Sequence, residues 1–71
     1  MKTAETRWNK SKGLWYTYIG SKAHNGCEIK KDAIAAGRIL ARKRKVEHLV
    51  KNKDGTISFR NSYGNDPRGR G

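Results

Sequence analysis

The densest apolar run in the chain is Leu14-Trp15-Tyr16-Thr17-Tyr18-Ile19, and its aromatic and β-branched side chains predict a strand. A period of two puts Trp15, Thr17 and Ile19 on one face and Leu14, Tyr16 and Tyr18 on the other. Both faces carry rings, so one packs on a core and the other stays at least partly in solvent. Just before this run, Arg7 to Asn9 reads as a short edge strand bearing Trp8, and Asn9-Lys10-Ser11-Lys12-Gly13 holds the residue types of a turn. Gly20 to Gly26 reads as a loop, and Cys27-Glu28-Ile29 as a short return strand.

The pattern then changes period. Asp32 to Lys45 is rich in Ala, Leu, Ile, Lys and Arg, lacks proline, and predicts a helix. At about 100° per residue, Ala33, Ile34, Gly37, Leu40 and Ala41 share one side, small enough to lie close on a sheet. Val46 to Lys51 and Thr56 to Arg60 return to strand-like alternation, joined by Asn52-Lys53-Asp54-Gly55, whose Asp-Gly pair signals a tight hairpin. Ile57, Phe59 and Tyr63 are expected to point inward. Residues 1–6 and 64–71 are polar or glycine-rich and read as flexible tails of a single domain spanning 1–71. The expected class is α+β: a small antiparallel sheet of four or five strands with one helix on one face, in a ββαββ-like order.

Charge adds what the pattern cannot. Seventeen Lys and Arg oppose six Asp and Glu, a formal net charge of +11 in 71 residues. Small soluble domains typically carry about 2 to 8 in magnitude, so solubility alone does not explain the excess. Polyanions do, because each cation seated on a phosphate releases condensed counterions. A membrane surface fits less well, since no stretch joins a basic face to a broad bulky apolar one. Nor does any run approach the roughly 18 apolar residues of a membrane span.

Residues for catalysis are sparse. Cys27 is the only cysteine, so no intramolecular disulfide forms, and the first eight residues lack a signal peptide's apolar run. A reducing cytoplasm is the expected setting. Cys27, His24 and His48 do not make a zinc set, for which three or four ligands are needed. They read as a buried thiol and two ordinary histidines. Glu28, Asp32, Glu47 and Asp54 each lie near a lysine and read as surface ion pairs. No glycine loop has phosphate-cradling spacing. Neither an enzyme, a metal nor a cofactor is expected.

Binding chemistry is better represented. Arg38, Arg42 and Lys45 fall at i, i+4 and i+7, and with Lys31 form a basic stripe opposite the helix's apolar side. Cations near a helix C-terminus also complement its dipole, which explains where the run sits but not its size. Rings interleave with cations in the first half: Trp8 between Arg7 and Lys10, and Trp15, Tyr16 and Tyr18 between Lys12 and Lys22. Exposed rings can stack unpaired bases while flanking cations hold the backbone. Trp15 is assigned to the core; Trp8, Tyr16 and Tyr18 are the candidate stacking residues. Arg68 and Arg70 lie in an arginine-glycine ending that suits loose phosphate contact.

Asp32-Ala33-Ile34-Ala35-Ala36, the helix running to Leu40-Ala41, Lys53-Asp54-Gly55-Thr56-Ile57 and Asn61-Ser62-Tyr63-Gly64-Asn65-Asp66-Pro67 resemble the domain-of-unknown-function 2188 family of small prokaryotic and phage-borne proteins. The resemblance covers roughly residues 31–67, and upstream extends only to the place of Trp15 after a glycine-containing turn. It implies a tryptophan-bearing strand, a helix and a C-terminal hairpin, with no activity. The basic helix departs from the more acidic helices of typical members. In size and charge the chain is also similar to small phage regulators of host RNA polymerase.

The expected function is a small, basic, non-enzymatic binding protein, monomeric, acting on DNA or RNA in transcription or phage regulation. The alternative is a phage-encoded regulator that docks on RNA polymerase or another transcription protein directly.

Overall fold

The computed structural model describes residues 3–63. Five strands and one helix follow one another as β1 (Thr3–Asn9), β2 (Leu14–Ile19), β3 (Lys22–Cys27), α1 (Lys30–Arg44), β4 (Glu47–Lys51) and β5 (Ile57–Ser62). The class is α+β, with the helix laid on one sheet as expected. The sheet order is β3-β2-β1-β4-β5.

Two expectations about the sheet are corrected. The sheet is mixed, because β1 pairs with β4 in parallel, from Thr3 opposite Glu47 to Thr6 opposite Val50. β1, β2 and β3 form an antiparallel meander; α1 then carries the chain back across the sheet to the end where β1 starts. β4 must therefore run in the same direction as β1. Secondly, β1 is neither an edge strand nor preceded by a tail reaching residue 6. It begins at Thr3 and is the central strand of the five. Its polar look misleads because Ala4 and Thr6, both fully buried, are the residues it contributes to the core. The stretch 64–71 lies outside the described residues.

The anticipated loop Gly20–Gly26 is also mostly strand. β3 reaches from Lys22 to Cys27 and pairs with β2, with a register shift between Trp15 and Thr17. Asn25 takes a left-handed φ of 56°, and the Tyr16 ring lies so close over Gly26 that a Cβ there would meet its Cε1 at 2.9 Å. Backbone pairing and that ring hold β3; its own side chains bury little.

α1 lies over β1 to β4 and leaves β5 uncovered. Ala33, Gly37 and Ala41, each one turn apart, are its buried residues. No side chain caps its first turn, but Asp32 there and Arg42, Lys43 and Arg44 in the last turn complement the dipole. Lys45 closes the helix in the left-handed region at φ 55°, and the Val46 N–H donates to the Ala41 carbonyl at 3.0 Å. Val46 packs back on the Ala41 cluster, which completes a Schellman-type stop.

The core is thin, as a 71-residue chain requires. Trp15 is 4% exposed, confirming it as core, and Trp8 meets it edge-on with ring centroids 5.4 Å apart. At the other end Ala4, Ile19 and Ala41 cluster, with Leu40, Val46 and Tyr63 packed on them. Between the two lies a polar layer. Thr6 Oγ1 is 2.8 Å from Thr17 Oγ1 and 2.8 Å from His48 Nε2, and all three side chains are fully buried. His48 is thus not the ordinary histidine expected, and Cys27, read as a buried thiol, is only partly buried. By contrast Ile57 (51% exposed) and Phe59 (37%) do not turn into the core, because no helix covers β5.

Candidate nucleic-acid interface

The sheet face away from α1 carries the ion pairs of the described residues, three cations on two carboxylates. Glu5 on β1 accepts from Arg7 at 3.0 Å and pairs with Lys51 at 3.1 Å, and Glu47 on β4 lies 3.8 Å from Arg60 on β5. Burial pushes the Glu5 carboxyl up, but the hydrogen bonds and charges of Lys51 and Arg7 outweigh it and hold the group below its usual range. Glu28, Asp32 and Asp54 form none of the expected ion pairs among the described residues. Asp54 instead accepts from the Thr56 N–H and hydroxyl, which lowers its pKa and ties the β4–β5 turn.

The rings on this face have partners already. The Arg7 guanidinium sits 4.0 Å from the Tyr18 ring centroid, and Asn9 donates to the Tyr18 hydroxyl at 2.9 Å. Tyr16 is half-buried and covers Gly26. Lys10 and Lys12 stand exposed in the β1–β2 turn, where the Lys12 N–H donates to the Asn9 side chain at 3.0 Å. Trp8 is half-buried between Trp15 and Lys53, whose Nζ lies 4.3 Å from its ring centroid. Lys30 bridges the same end, donating to Asn52 at 2.8 Å and lying 5.2 Å from the Trp15 centroid. Lys30 and Lys53 escaped the sequence pattern, because only the fold brings them to the tryptophans.

The helix side differs. Lys31, Arg38, Arg42 and Lys45 are all exposed, and none has a carboxylate partner among the described residues. The i, i+4, i+7 spacing therefore does produce an outward cationic stripe. Two cavities flank it. One of about 540 Å³ is lined by Lys30, Lys31, Ile34, Ala35 and Arg38. The other, of about 370 Å³, lies between α1 and β5 and is lined by Arg38, Arg42, Asn61, Ser62 and Tyr63. Asn61, Ser62 and Tyr63 were not among the candidate residues, although they stand in the Asn-Ser-Tyr stretch that carries the family resemblance. Arg68 and Arg70 lie outside the described residues.

Arg38 also reaches inward electrically. Burial lowers the pKa of His48, and the Arg38 charge lowers it further, so the imidazole is neutral near pH 7. Its Nδ1 and the His24 Nε2 are buried with no hydrogen-bond partner among the described residues. No cluster of three or more His, Cys, Asp or Glu able to hold a metal occurs among those residues. Nor do they include a helix long and apolar enough to cross a membrane.

Over the described residues, fold and surface define an α+β domain of one helix on a five-stranded sheet, with a cationic helix flank. The chain belongs to the domain-of-unknown-function 2188 family, described as an uncharacterized protein conserved in bacteria, whose model matches residues 19–63. That match starts at the end of β2 and so reaches further upstream than the resemblance read from residues 31–67. Neither the curated proteins nor the solved structures contain a match to the chain.

Proposed function

We propose that this protein binds nucleic acid without catalysing a reaction, holding phosphates along the outer flank of α1. One observation carries the reading. On the open sheet face Arg7, Lys51 and Arg60 each meet a carboxylate, Glu5 or Glu47, while Lys31, Arg38, Arg42 and Lys45 have no acidic partner among the described residues. Charge left uncompensated on one side of so small a domain favours a polyanion there. The open sheet face is the weaker candidate, since Arg7, Tyr16 and Tyr18 are engaged within the fold.

The test is a fluorescence-anisotropy titration with duplex DNA, single-stranded DNA and RNA over a range of salt. With four phosphates neutralised, log affinity should fall against log salt with a slope of about −3 to −4. Absence of binding to every one of the three at low salt would refute the reading.

A second reading, direct docking on a transcription protein such as RNA polymerase, draws on the apolar Ile57 and Phe59 exposed on β5. There the cations would steer encounter and Phe59 would anchor. Co-elution with purified RNA polymerase in nuclease-treated buffer, lost in a Phe59→Ser variant, distinguishes it from binding to nucleic acid.

A further inference from the structure

We infer that the trough between α1 and β5 is a seat for one unpaired nucleotide, so that the preferred ligand is a single strand; this rests on the proposed nucleic-acid binding and narrows it. The two walls have different chemistry. From α1 come Arg38 and Arg42, one turn apart and both without a carboxylate partner among the described residues. Their planar guanidinium forks suit bidentate contact with a phosphate. From β5 come Asn61 and Ser62, with Tyr63 directly after the strand.

Strand register decides which β5 side chain shares the arginines' side of the sheet. Asn61 pairs with His48, and His48 points under the helix, so the Asn61 amide stands on that side too. An amide offers both donors and an acceptor to a base edge. Tyr63 packs on the Ala4, Ile19 and Ala41 cluster and also lines the trough. A ring held from behind by core residues is a fixed stacking platform, unlike Tyr18, whose ring Arg7 covers. The trough is an open groove of about 370 Å³, with room for one nucleotide. A paired base cannot present its face to Tyr63; an unstacked one can.

The experiment is an NMR titration of the isotope-labelled full chain with thymidine 5′-monophosphate, inorganic phosphate and a short oligothymidylate. The nucleotide should shift the amides of Arg38, Arg42, Asn61 and Tyr63 and bind roughly five- to hundredfold tighter than phosphate, the gain one stacked base brings. Tyr63→Leu, which keeps an apolar packing group, should erase that gain, and Tyr63→Phe should keep it. Because Tyr63 touches the core, Asn61→Ala on the exposed strand is a second arm, expected to weaken nucleotide but not phosphate binding.

Equal affinity for nucleotide and phosphate would overturn the trough as a nucleotide seat. So would shifts confined to Lys10, Lys12 and Trp8. In either case an oligonucleotide that still binds leaves the broader reading standing. No oligonucleotide binding at low salt would overturn both.

Discussion

Gly37 of α1 rests directly on His48 of β4: a Cβ added to Gly37 would lie 2.7 Å from His48 Nε2 and 2.6 Å from Thr17 Oγ1. Helix and sheet are thus as close as backbone permits at the one place where the core is polar. Gly37→Ala should destabilise the domain. Alanine gains up to about 1 kcal/mol as a helix former, but overpacking against buried atoms costs about 1–3 kcal/mol. A net loss on the order of 1 kcal/mol or more in urea unfolding is expected. An unchanged midpoint would mean the helix can lift off the threonines freely.

Acid should weaken the fold through His48. Its folded pKa lies below the ordinary 6.5, first because it is buried and then because of Arg38. Below pH 6.5 the unfolded chain therefore takes up a proton that the folded one resists, and stability falls with falling pH until the folded pKa is reached. The slope is at most about 1.4 kcal/mol per pH unit. Thermal midpoints measured from about pH 7 to 5 should decline in the native chain and decline less in His48→Gln.

The stripe can be tested by reversing it. Arg38→Glu with Arg42→Glu, both on exposed positions, should cost the fold on the order of 1 kcal/mol, chiefly the favourable dipole charge lost at Arg42. Affinity for an oligonucleotide should drop by at least tenfold, and the salt slope should shrink by about 1.4 on a single strand or about 1.8 on a duplex, the share of two phosphate contacts.

Lys45 separates stability from binding. It sits in the left-handed region at φ 55°, where a non-glycine residue is strained by about 1–2 kcal/mol. Lys45→Gly should raise the unfolding free energy by roughly 0.5–1 kcal/mol, after glycine's greater unfolded-state freedom is counted, measured by urea unfolding. The same change should reduce the salt slope by about 0.7 on a single strand or about 0.9 on a duplex if Lys45 meets a phosphate.

Local features were legible in the sequence. The Leu14–Ile19 strand, the helix, and the Asp54-Gly55 hairpin follow from side-chain type and period, each within a few residues. β1 was not, because its buried residues are Ala4 and Thr6, and threonine belongs inside only where Thr17 and His48 meet its hydroxyl. The parallel β1–β4 pairing is likewise a decision made by the path of α1, not by either strand. At the candidate site the Arg38, Arg42 and Lys45 spacing was readable, being a property of one helix. Its opposite wall was hidden: Asn61 and Tyr63 come to the arginines only through the register of β4 with β5.

The central place of β1 bears on how the protein is born. Thr3 waits for Glu47 and Thr6 for Val50, so half of β1's backbone stays unpaired while the intervening chain is made. On the ribosome, β1, β2 and β3 can form a three-stranded meander early, but its growing side remains open until β4 has left the exit tunnel. The pairing of the central strand is therefore completed only after α1, which precedes β4 in the chain, has been made.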